Sequence, residues 1–194
     1  PSVFRKILVG GAAAPQIIPD NAVTTYGLTE TGSGIVYDGT LLPEVKIEIR
    51  EGEIVVQSPT LFNRYLGDEP RNNEQWFTTG DAGFFQDDQK LVVTGRLDDA
   101  IITGGEKVWP ALIERELESL KLFSEHIVVG RRDQEWGQAV TIIGVPKNFE
   151  TSIDISEIRA RLRESLPNYA LPKAIEIVEA LPRNAMGKVL RRLI

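Results

Sequence analysis

The hydrophobic and polar positions of the chain alternate with two different periods. In the first half, Val45, Ile47 and Ile49 alternate with charged side chains, and a turn at Glu51 and Gly52 leads into a returning strand. A period of two places successive side chains on opposite faces of a strand. This part is therefore predicted to be a small all-β unit, folded as a distorted barrel.

Further short apolar runs predict strands on either side of these positions. Ile7–Val9 and residues 22–26 precede them, and residues 91–93 follow a turn at residues 86–89. Apolar runs of this length between turn residues are typical of buried strands.

Beyond residue 97 helix and strand patterns alternate. Ile113, Leu117 and Leu120 recur at the spacing of one helix face, which predicts a helix over residues 109–122 with Pro110 in its first turn. Ser156 is predicted to cap a second helix. The strands predicted here are residues 127–129, 140–143 and 175–178. These patterns predict an α+β fold with two domains, residues 1–97 and 98–194.

Composition narrows the range of functions. The 194 residues carry a net charge of −6, no cysteine and one histidine, so disulfides, thiolate metal sites and multi-histidine sites are excluded. His126 opens an apolar run and is predicted to lie at a strand edge. Only the C-terminal tail is basic, which argues against a nucleic-acid partner. No apolar run approaches the length of a membrane span and no signal peptide is visible, so a cytoplasmic location is expected.

The start of the sequence predicts a piece of a longer protein. The chain begins at Pro1, its only methionine is Met186, and its first residues resemble a strand entering a glycine turn within a domain.

Residues 25–30 combine side chains that suit a nucleotide. Tyr26 can stack on a purine, Thr29 can bond to a phosphate, and Glu30 can hold Mg²⁺, which prefers oxygen ligands. The alternative is a strand that ends in a polar turn.

Two further segments carry candidate binding groups. Asp81 follows Gly80 and could accept both hydroxyls of a ribose, although by itself this position favours a turn aspartate. Arg96 can donate to ribose or phosphate oxygens, and Gly104 and Gly105 could line a narrow channel. The plain alternative for residues 95–110 is a hairpin loop that leads into a helix.

Lys188 lies in a tail with no acidic residue after Glu179. A carboxylate that attacks the α-phosphate of ATP brings two negative groups together, and an ammonium touching both would act most strongly in the transition state. Taken alone, the pattern favours a surface lysine.

Together these segments resemble the ATP-dependent adenylate-forming (AMP-binding) enzymes, which include acyl-CoA synthetases, luciferases and peptide-synthetase adenylation domains. The resemblance implies that a small-molecule carboxylate and ATP form an acyl-adenylate, with Mg²⁺ as cofactor. It also implies that a small, mobile C-terminal domain then rotates, and that coenzyme A, the co-substrate, displaces AMP.

The resemblance also assigns roles to individual residues. Gly11 and Ala12 would border the adenine and acyl pocket. Tyr26 and Gly27 would belong to the adenine site, Thr29 would contact the α-phosphate, and Glu30 would bind Mg²⁺.

The remaining roles concern the ribose and the second domain. Asp81 and Arg96 would hold the ribose, and Asp98 would be the hinge. Gly104 and Gly105 would line the pantetheine path, Lys107 would lie near the nucleotide, and Lys188 would be the adenylation lysine.

One departure from the family bears on activity. The glycine-rich phosphate-binding loop of the family has no counterpart here and is expected upstream of Pro1, so the isolated chain is predicted to be inactive. The short link after Glu30, the run at residues 34–39 and Glu135 to Gln138 resemble the o-succinylbenzoate–CoA ligases of menaquinone synthesis. The alternatives are another acyl-CoA synthetase, acting on a fatty or aromatic acid, and a non-catalytic module that binds a nucleotide or a partner.

Overall fold

The computed structural model of the chain describes residues 3–11, 18–72, 74–150, 152–185, 187 and 189–194. The chain divides into two compact units, Pro1–Asp98 and Asp99–Ile194. Strands dominate, helices are few and the sheets are mixed, so the predicted α+β class is confirmed. The assignment of the two units to particular domains of an adenylate-forming enzyme stays a prediction.

The first unit contains eight described strands and a 3₁₀ turn at Thr29–Thr31. The strands are β1 (Ile7–Val9), β2 (Ala22–Gly27), β3 (Gly34–Tyr37), β4 (Thr40–Leu41), β5 (Lys46–Arg50), β6 (Glu53–Gln57), β7 (Phe77–Phe85) and β8 (Leu91–Arg96). They form two four-stranded sheets, in the orders β1-β2-β3-β4 and β5-β6-β7-β8, and only β1 and β2 pair in parallel.

The prediction that the first unit folds as a distorted barrel is wrong. Among the described residues no ladder joins one sheet to the other, so each sheet keeps two edges and no closed barrel forms. A barrel requires every strand to have neighbours on both sides, and the sequence pattern carries no information on which strands become neighbours.

The alternation predicted for the first unit is confirmed. Ile47 and Ile49 pack against a buried apolar cluster, whereas Glu48 between them is exposed. The buried members of this cluster are Ile35, Val36, Ile54, Val56 and Leu91. Glu51 and Gly52 both have positive φ, 53° and 84°, as a two-residue hairpin turn requires.

The second unit contains five described strands, two α-helices and further 3₁₀ turns at Asn168–Ala170 and Arg191–Leu193, with another at the unit boundary, Leu97–Asp99. The strands are β9 (Ile101–Thr103), β10 (Glu106–Val108), β11 (Phe123–Asp133), β12 (Gly137–Pro146) and β13 (Ala174–Ile177); the helices are α1 (Pro110–Leu120) and α2 (Ile155–Leu162). The sheet has the order β10-β9-β12-β11, and β13 pairs in parallel with β12.

Both helices pack on one face of this sheet. Ile113 and Leu117 of α1 and Ile158 and Leu162 of α2 are buried in one cluster with residues of β11 and β12. The apolar face predicted for α1 is confirmed, with Pro110 as its first residue. None of the described helices is long and apolar enough to cross a membrane.

Two local predictions are corrected. Asp154, rather than Ser156, caps α2, because the Asp154 carboxylate accepts a hydrogen bond of 2.8 Å from the Ser156 backbone amide. Strands β11 and β12 are much longer than their apolar runs. Their polar ends continue the antiparallel ladder as far as the Asp133–Gly137 pair, where backbone pairing alone fixes the register.

Candidate functional site

Three predicted nucleotide-binding residues meet in the first unit. Asp81 on β7 lies opposite Arg96 on β8 in the strand register, and Tyr26 reaches the same carboxylate from β2. The Tyr26 hydroxyl donates to Asp81 Oδ2 at 2.8 Å, and Arg96 Nη1 lies 3.0 Å from Oδ1. Three residues from three separate sequence segments are therefore in direct contact in the structure.

Thr79 and Arg96 fix the position of Asp81. The Asp81 side chain is 9% exposed, against 50% for that of Arg96. The Thr79 hydroxyl accepts from the Asp81 amide and donates to the Ile54 carbonyl oxygen, and Arg96 Nη1 also donates to the Thr79 carbonyl oxygen at 2.9 Å. Because Asp81 lies within a strand, the turn alternative for this residue is wrong.

Burial and a neighbouring carboxylate keep the Tyr26 hydroxyl protonated. Burial raises its pKa well above the ordinary value, and the neighbouring Asp81 carboxylate raises it further. Tyr26 is therefore a hydrogen-bond donor to Asp81 across the physiological pH range. Its ring also packs against the apolar cluster of the first unit, which fixes the side chain from the other end.

Glu30 lies in the 3₁₀ turn that follows β2. The buried Thr31 hydroxyl accepts a hydrogen bond from the Leu28 amide at 2.9 Å and so closes this turn. The turn also needs Gly27, since a Cβ at that position would lie 2.2 Å from the Ser33 carbonyl oxygen. Thr29, the predicted phosphate contact, is exposed beside Glu30.

Two residues of the loop between β6 and β7 form hydrogen bonds with Glu30. The Tyr65 hydroxyl donates to Glu30 Oε1 at 2.8 Å, and the Phe62 amide donates to the Glu30 carbonyl oxygen at 2.7 Å. The rings of Phe62 and Tyr65 pack with centroids 4.5 Å apart. Both the backbone and the carboxylate of Glu30 are thus oriented by residues more than 30 positions away.

Glu30 fits one kind of Mg²⁺ site. Across the described residues no three carboxylate, imidazole or thiol side chains gather closely enough to form a metal cage. Mg²⁺ in nucleotide sites is held by one or two carboxylates together with phosphate oxygens and water. The single Glu30 carboxylate is therefore a suitable ligand for a Mg²⁺ ion that is also bound by the phosphates of ATP.

In the second unit Gly104 and Gly105 form the turn between β9 and β10. Their φ angles are +59° and +84°, values that residues other than glycine rarely adopt. A Cβ on Gly104 would also lie 2.8 Å from the ring of Trp136. The Gly104 amide donates a hydrogen bond of 2.9 Å to the Trp136 carbonyl oxygen. The hairpin that the sequence offered as the alternative is therefore confirmed, and the role of the two glycines in a channel stays a prediction.

Trp136 connects this hairpin to Lys173. The Lys173 Nζ atom lies 3.3 Å from the centroid of the Trp136 ring, and no hydrogen-bond partner of that buried atom is found among the described residues. Burial lowers the pKa of Lys173. Trp136 therefore packs between the glycine turn and a lysine that precedes β13.

The other predicted site residues have fewer contacts. Lys107 is exposed on β10, with its Nζ atom 5.9 Å from the Trp109 ring centroid. Asp98 is exposed and is the last residue of the first unit. Gly11 has a φ of +80° in open surroundings. Ala12 and Lys188 lie outside the described residues.

The predicted strand-edge position of His126 is refined by the structure. The residue lies within β11, and its Nε2 atom is 2.9 Å from the Glu114 carbonyl oxygen on α1. Its contacts are those of a structural histidine.

A surface cavity of about 640 Å³ in the first unit does not coincide with the predicted nucleotide site. Its lining includes Trp76, Lys46 and Lys90, and it includes none of the predicted site residues.

Sequence reasoning missed the residues that orient the candidate site. Tyr65, Thr79 and Trp136 each contact a predicted site residue across a long sequence separation. No local spacing signals such contacts, because they depend on how loops and strands meet in the fold.

Comparison with known proteins shows which families the chain resembles. Residues 112–188 match the family model described as the AMP-binding enzyme C-terminal domain. A 2-succinylbenzoate–CoA ligase from Bacillus licheniformis is 34% identical over an alignment of 230 positions, gaps included, which covers 98% of this chain and 46% of that ligase. The chain thus spans about half the length of the curated relatives that it matches.

Two solved structures are similar over nearly the whole chain. The o-succinylbenzoate CoA synthetase from Bacillus subtilis in complex with its acyl-adenylate intermediate matches with a TM-score of 0.85 and 30% identity, covering 99% of this chain and 46% of that one. The same enzyme in complex with ATP and magnesium ion matches with a TM-score of 0.83 and 29% identity, at the same coverage.

Residues 112–188 thus match the C-terminal domain of the AMP-binding enzymes, and the chain as a whole is similar to 2-succinylbenzoate–CoA ligases.

Proposed function

We propose that this chain is part of an acid–thiol ligase that activates a carboxylic acid with ATP and passes the acyl group to coenzyme A. The observation that carries the proposal is the ordered Tyr26–Asp81–Arg96 cluster in a chain that resembles 2-succinylbenzoate–CoA ligases along 98% of its length.

The proposed reaction has two steps. A carboxylate oxygen of the acid attacks the α-phosphorus of ATP, and the bond to pyrophosphate breaks. The sulfur of coenzyme A then attacks the acyl carbon, the thiol proton is lost, and AMP leaves with the electron pair of its bond to that carbon. Mg²⁺, when bound with ATP, reduces the negative charge that the first step must overcome.

The residues of the first unit would bind and orient the nucleotide. Asp81 accepts from the ribose hydroxyls, and Arg96, which holds the carboxylate, donates to ribose oxygens with its remaining N–H groups. Tyr26 contacts the adenine, Thr29 donates to the α-phosphate, and Glu30 supplies an oxygen ligand to Mg²⁺.

The residues of the second unit would serve both steps. Lys188 places an ammonium on the reacting phosphate during adenylation, where it stabilises developing negative charge. Gly104 and Gly105 border the path of the pantetheine arm in the thioester step, and Lys107 lies near the nucleotide. Asp98 is the hinge about which the second unit would turn.

We propose 2-succinylbenzoate (o-succinylbenzoate) as the acid, which places the protein in menaquinone synthesis. The support is the resemblance to ligases named for that substrate and to a structure that holds its adenylate. The rival is another acyl-CoA synthetase, and the anthranilate CoA ligase AuaEII shares the fold at 22% identity with a TM-score of 0.82. A cytoplasmic location stays a prediction.

The test uses the complete protein that contains this chain. Pyrophosphate release and acyl-CoA formation are measured with o-succinylbenzoate, octanoate and benzoate as competing acids. A kcat/KM for o-succinylbenzoate at least ~100-fold above the others is expected, since an acid that leaves buried polar groups of the pocket unpaired is strongly rejected. A preference for octanoate or benzoate would support the rival, and no turnover of any acid would favour the non-catalytic module.

A further inference from the structure

Two described segments of the tail, a first arm of residues 181–183 and a second arm of residues 189–191, are joined by backbone pairing. The Leu190 amide donates to the Pro182 carbonyl oxygen at 2.8 Å, and Arg183 and Val189 form an antiparallel bridge. Leu181 and Val189 also pack with buried residues of β11 and β12. The backbone on both sides of the turn is therefore attached to the body of the unit.

Arg191 attaches the second arm through its side chain. Its Nη2 atom lies 2.7 Å from Glu114 Oε2 on α1, and its Nη1 atom donates to the Val128 carbonyl oxygen on β11 at 3.0 Å. Glu114 Oε1 in turn accepts from the Val128 amide at 2.6 Å. Tail, helix and strand are closed into one ring of three hydrogen bonds.

The first arm has a contact of the same kind. Arg183 pairs with Glu125 on β11 at 2.6 Å, but both of these side chains are more than 40% exposed. Arg191 and Glu114 are 30% and 17% exposed, so the second pair is the better shielded one. Such a pair contributes little net stability compared with apolar packing, because both charges lose water, but it fixes geometry strictly.

We propose that Glu114 and Arg191 are positioning residues for Lys188. By fixing the arm three residues after the lysine, they restrict the region that its ammonium can reach when charge develops on the phosphate. The pair touches neither substrate nor nucleotide in this proposal and acts only through Lys188. The inference rests on the proposed function, because it needs Lys188 to act in adenylation.

The experiment uses the complete enzyme with conservative variants. Glu114→Gln keeps the shape and the acceptor for the Val128 amide but loses the charge, and Arg191→Lys keeps the charge but loses the two-pronged contact. Glu157→Gln and Arg161→Lys are matched controls on α2, where an exposed pair 3.6 Å apart makes the same type of interaction. Circular dichroism first confirms that each variant is folded.

Adenylation is measured by ATP–pyrophosphate exchange, and the thioester step is measured from preformed acyl-adenylate. We expect kcat for adenylation to fall about 10- to 100-fold in both variants, as a misplaced catalytic group does, with KM for ATP nearly unchanged. The thioester step and both control variants should stay within about twofold of the unchanged enzyme. Equal losses in the two steps, or no loss in adenylation, would overturn the proposal.

Lys188→Ala separates this inference from the function on which it rests. If Glu114 acts only through the lysine, adding Glu114→Gln to Lys188→Ala should cause no further loss of adenylation, because residues that act as a unit are not additive. A further tenfold loss in the double variant would overturn the positioning role while leaving the proposed function intact. Full adenylation by Lys188→Ala alone would overturn the role of the lysine itself, and with it this inference.

Discussion

Asp81 and Arg96 stand directly opposite each other on neighbouring antiparallel strands, with Arg96 Nη1 3.0 Å from Asp81 Oδ1. The carboxylate is buried and the guanidinium is half exposed, so the pair presents its donor side to solvent. The other carboxylate oxygen, Oδ2, accepts a hydrogen bond of 2.8 Å from the Tyr26 hydroxyl. In the proposed function we expect Asp81 and Arg96 to bind the ribose together.

Asp81→Asn in the complete enzyme should weaken nucleotide binding. The amide keeps one acceptor oxygen for Arg96 but loses the charge and the second acceptor. Hydrogen bonds to charged groups contribute about 1.5–3 kcal/mol, so KM for ATP should rise about 10- to 100-fold in ATP–pyrophosphate exchange. Asp88→Asn is the control, because Asp88 forms an exposed pair with Lys90 at 3.0 Å. Equal KM values in the two variants would contradict the assigned role.

Tyr65→Phe should weaken Mg²⁺ binding through Glu30. The substitution removes only the hydroxyl that donates to Glu30 Oε1 and leaves the ring contact with Phe62. Loss of a hydrogen bond that orients a metal ligand typically costs about tenfold or more in metal affinity. Binding of Mn²⁺ to the enzyme–ATP complex, followed by electron paramagnetic resonance, measures the change. Tyr37→Phe serves as the control, and an unchanged Mn²⁺ affinity in Tyr65→Phe would rule out this contact as an orienting one.

Gly104→Ala should destabilise the second unit more than Gly105→Ala. Both positions have positive φ, which costs a side-chain residue about 1–2 kcal/mol, but a Cβ at Gly105 meets no neighbour whereas one at Gly104 meets the Trp136 ring. Overpacking should add roughly 1–3 kcal/mol at Gly104. Urea unfolding of the 194-residue chain measures both free energies.

The Trp136 contact can be isolated by a double-mutant cycle. In a Trp136→Ala background the penalty of Gly104→Ala should shrink towards that of Gly105→Ala, since the clash is gone. If Gly104→Ala lowered the free energy of unfolding equally with and without the Trp136 ring, backbone strain alone would explain why glycine occupies position 104.

The ion pair between Arg131 and Glu176 predicts a contribution to stability that depends on pH. Two hydrogen bonds from Arg131, of 2.8 and 2.7 Å, lower the pKa of Glu176 below its usual 4.5. A carboxyl group with a lowered folded-state pKa stabilises the fold above the unfolded pKa, and the contribution is lost as pH falls through the folded pKa. The urea midpoint of the unchanged chain should therefore exceed that of Glu176→Gln at pH 7, and the difference should shrink as pH falls below 4.5 and disappear once pH is below the folded-state pKa of Glu176. A difference that persists at acid pH would mean that the charge is not responsible.

The local helices and strands, and the residue types of the candidate site, follow from the sequence alone. The period of two at Ile47 and Ile49 and the helical spacing of Ile113 and Leu117 each hold within one element, so the pattern of buried positions was readable from the chain. The glycine turn at residues 104–105 and the residue types at Tyr26, Glu30 and Asp81 were readable for the same reason. Each depends on neighbours a few positions away.

Which of these residues contact one another depends on the tertiary fold. Tyr26 and Asp81 are 55 positions apart, Tyr65 and Glu30 are 35 apart, and Arg191 and Glu114 are 77 apart. The sheets stayed open for a related reason, since strand partners are chosen by the packing of whole layers and no segment encodes its partner. Local sequence fixes what each residue can do because backbone geometry is local, whereas the burial and pairing that turn residues into a site come from contacts across the whole fold.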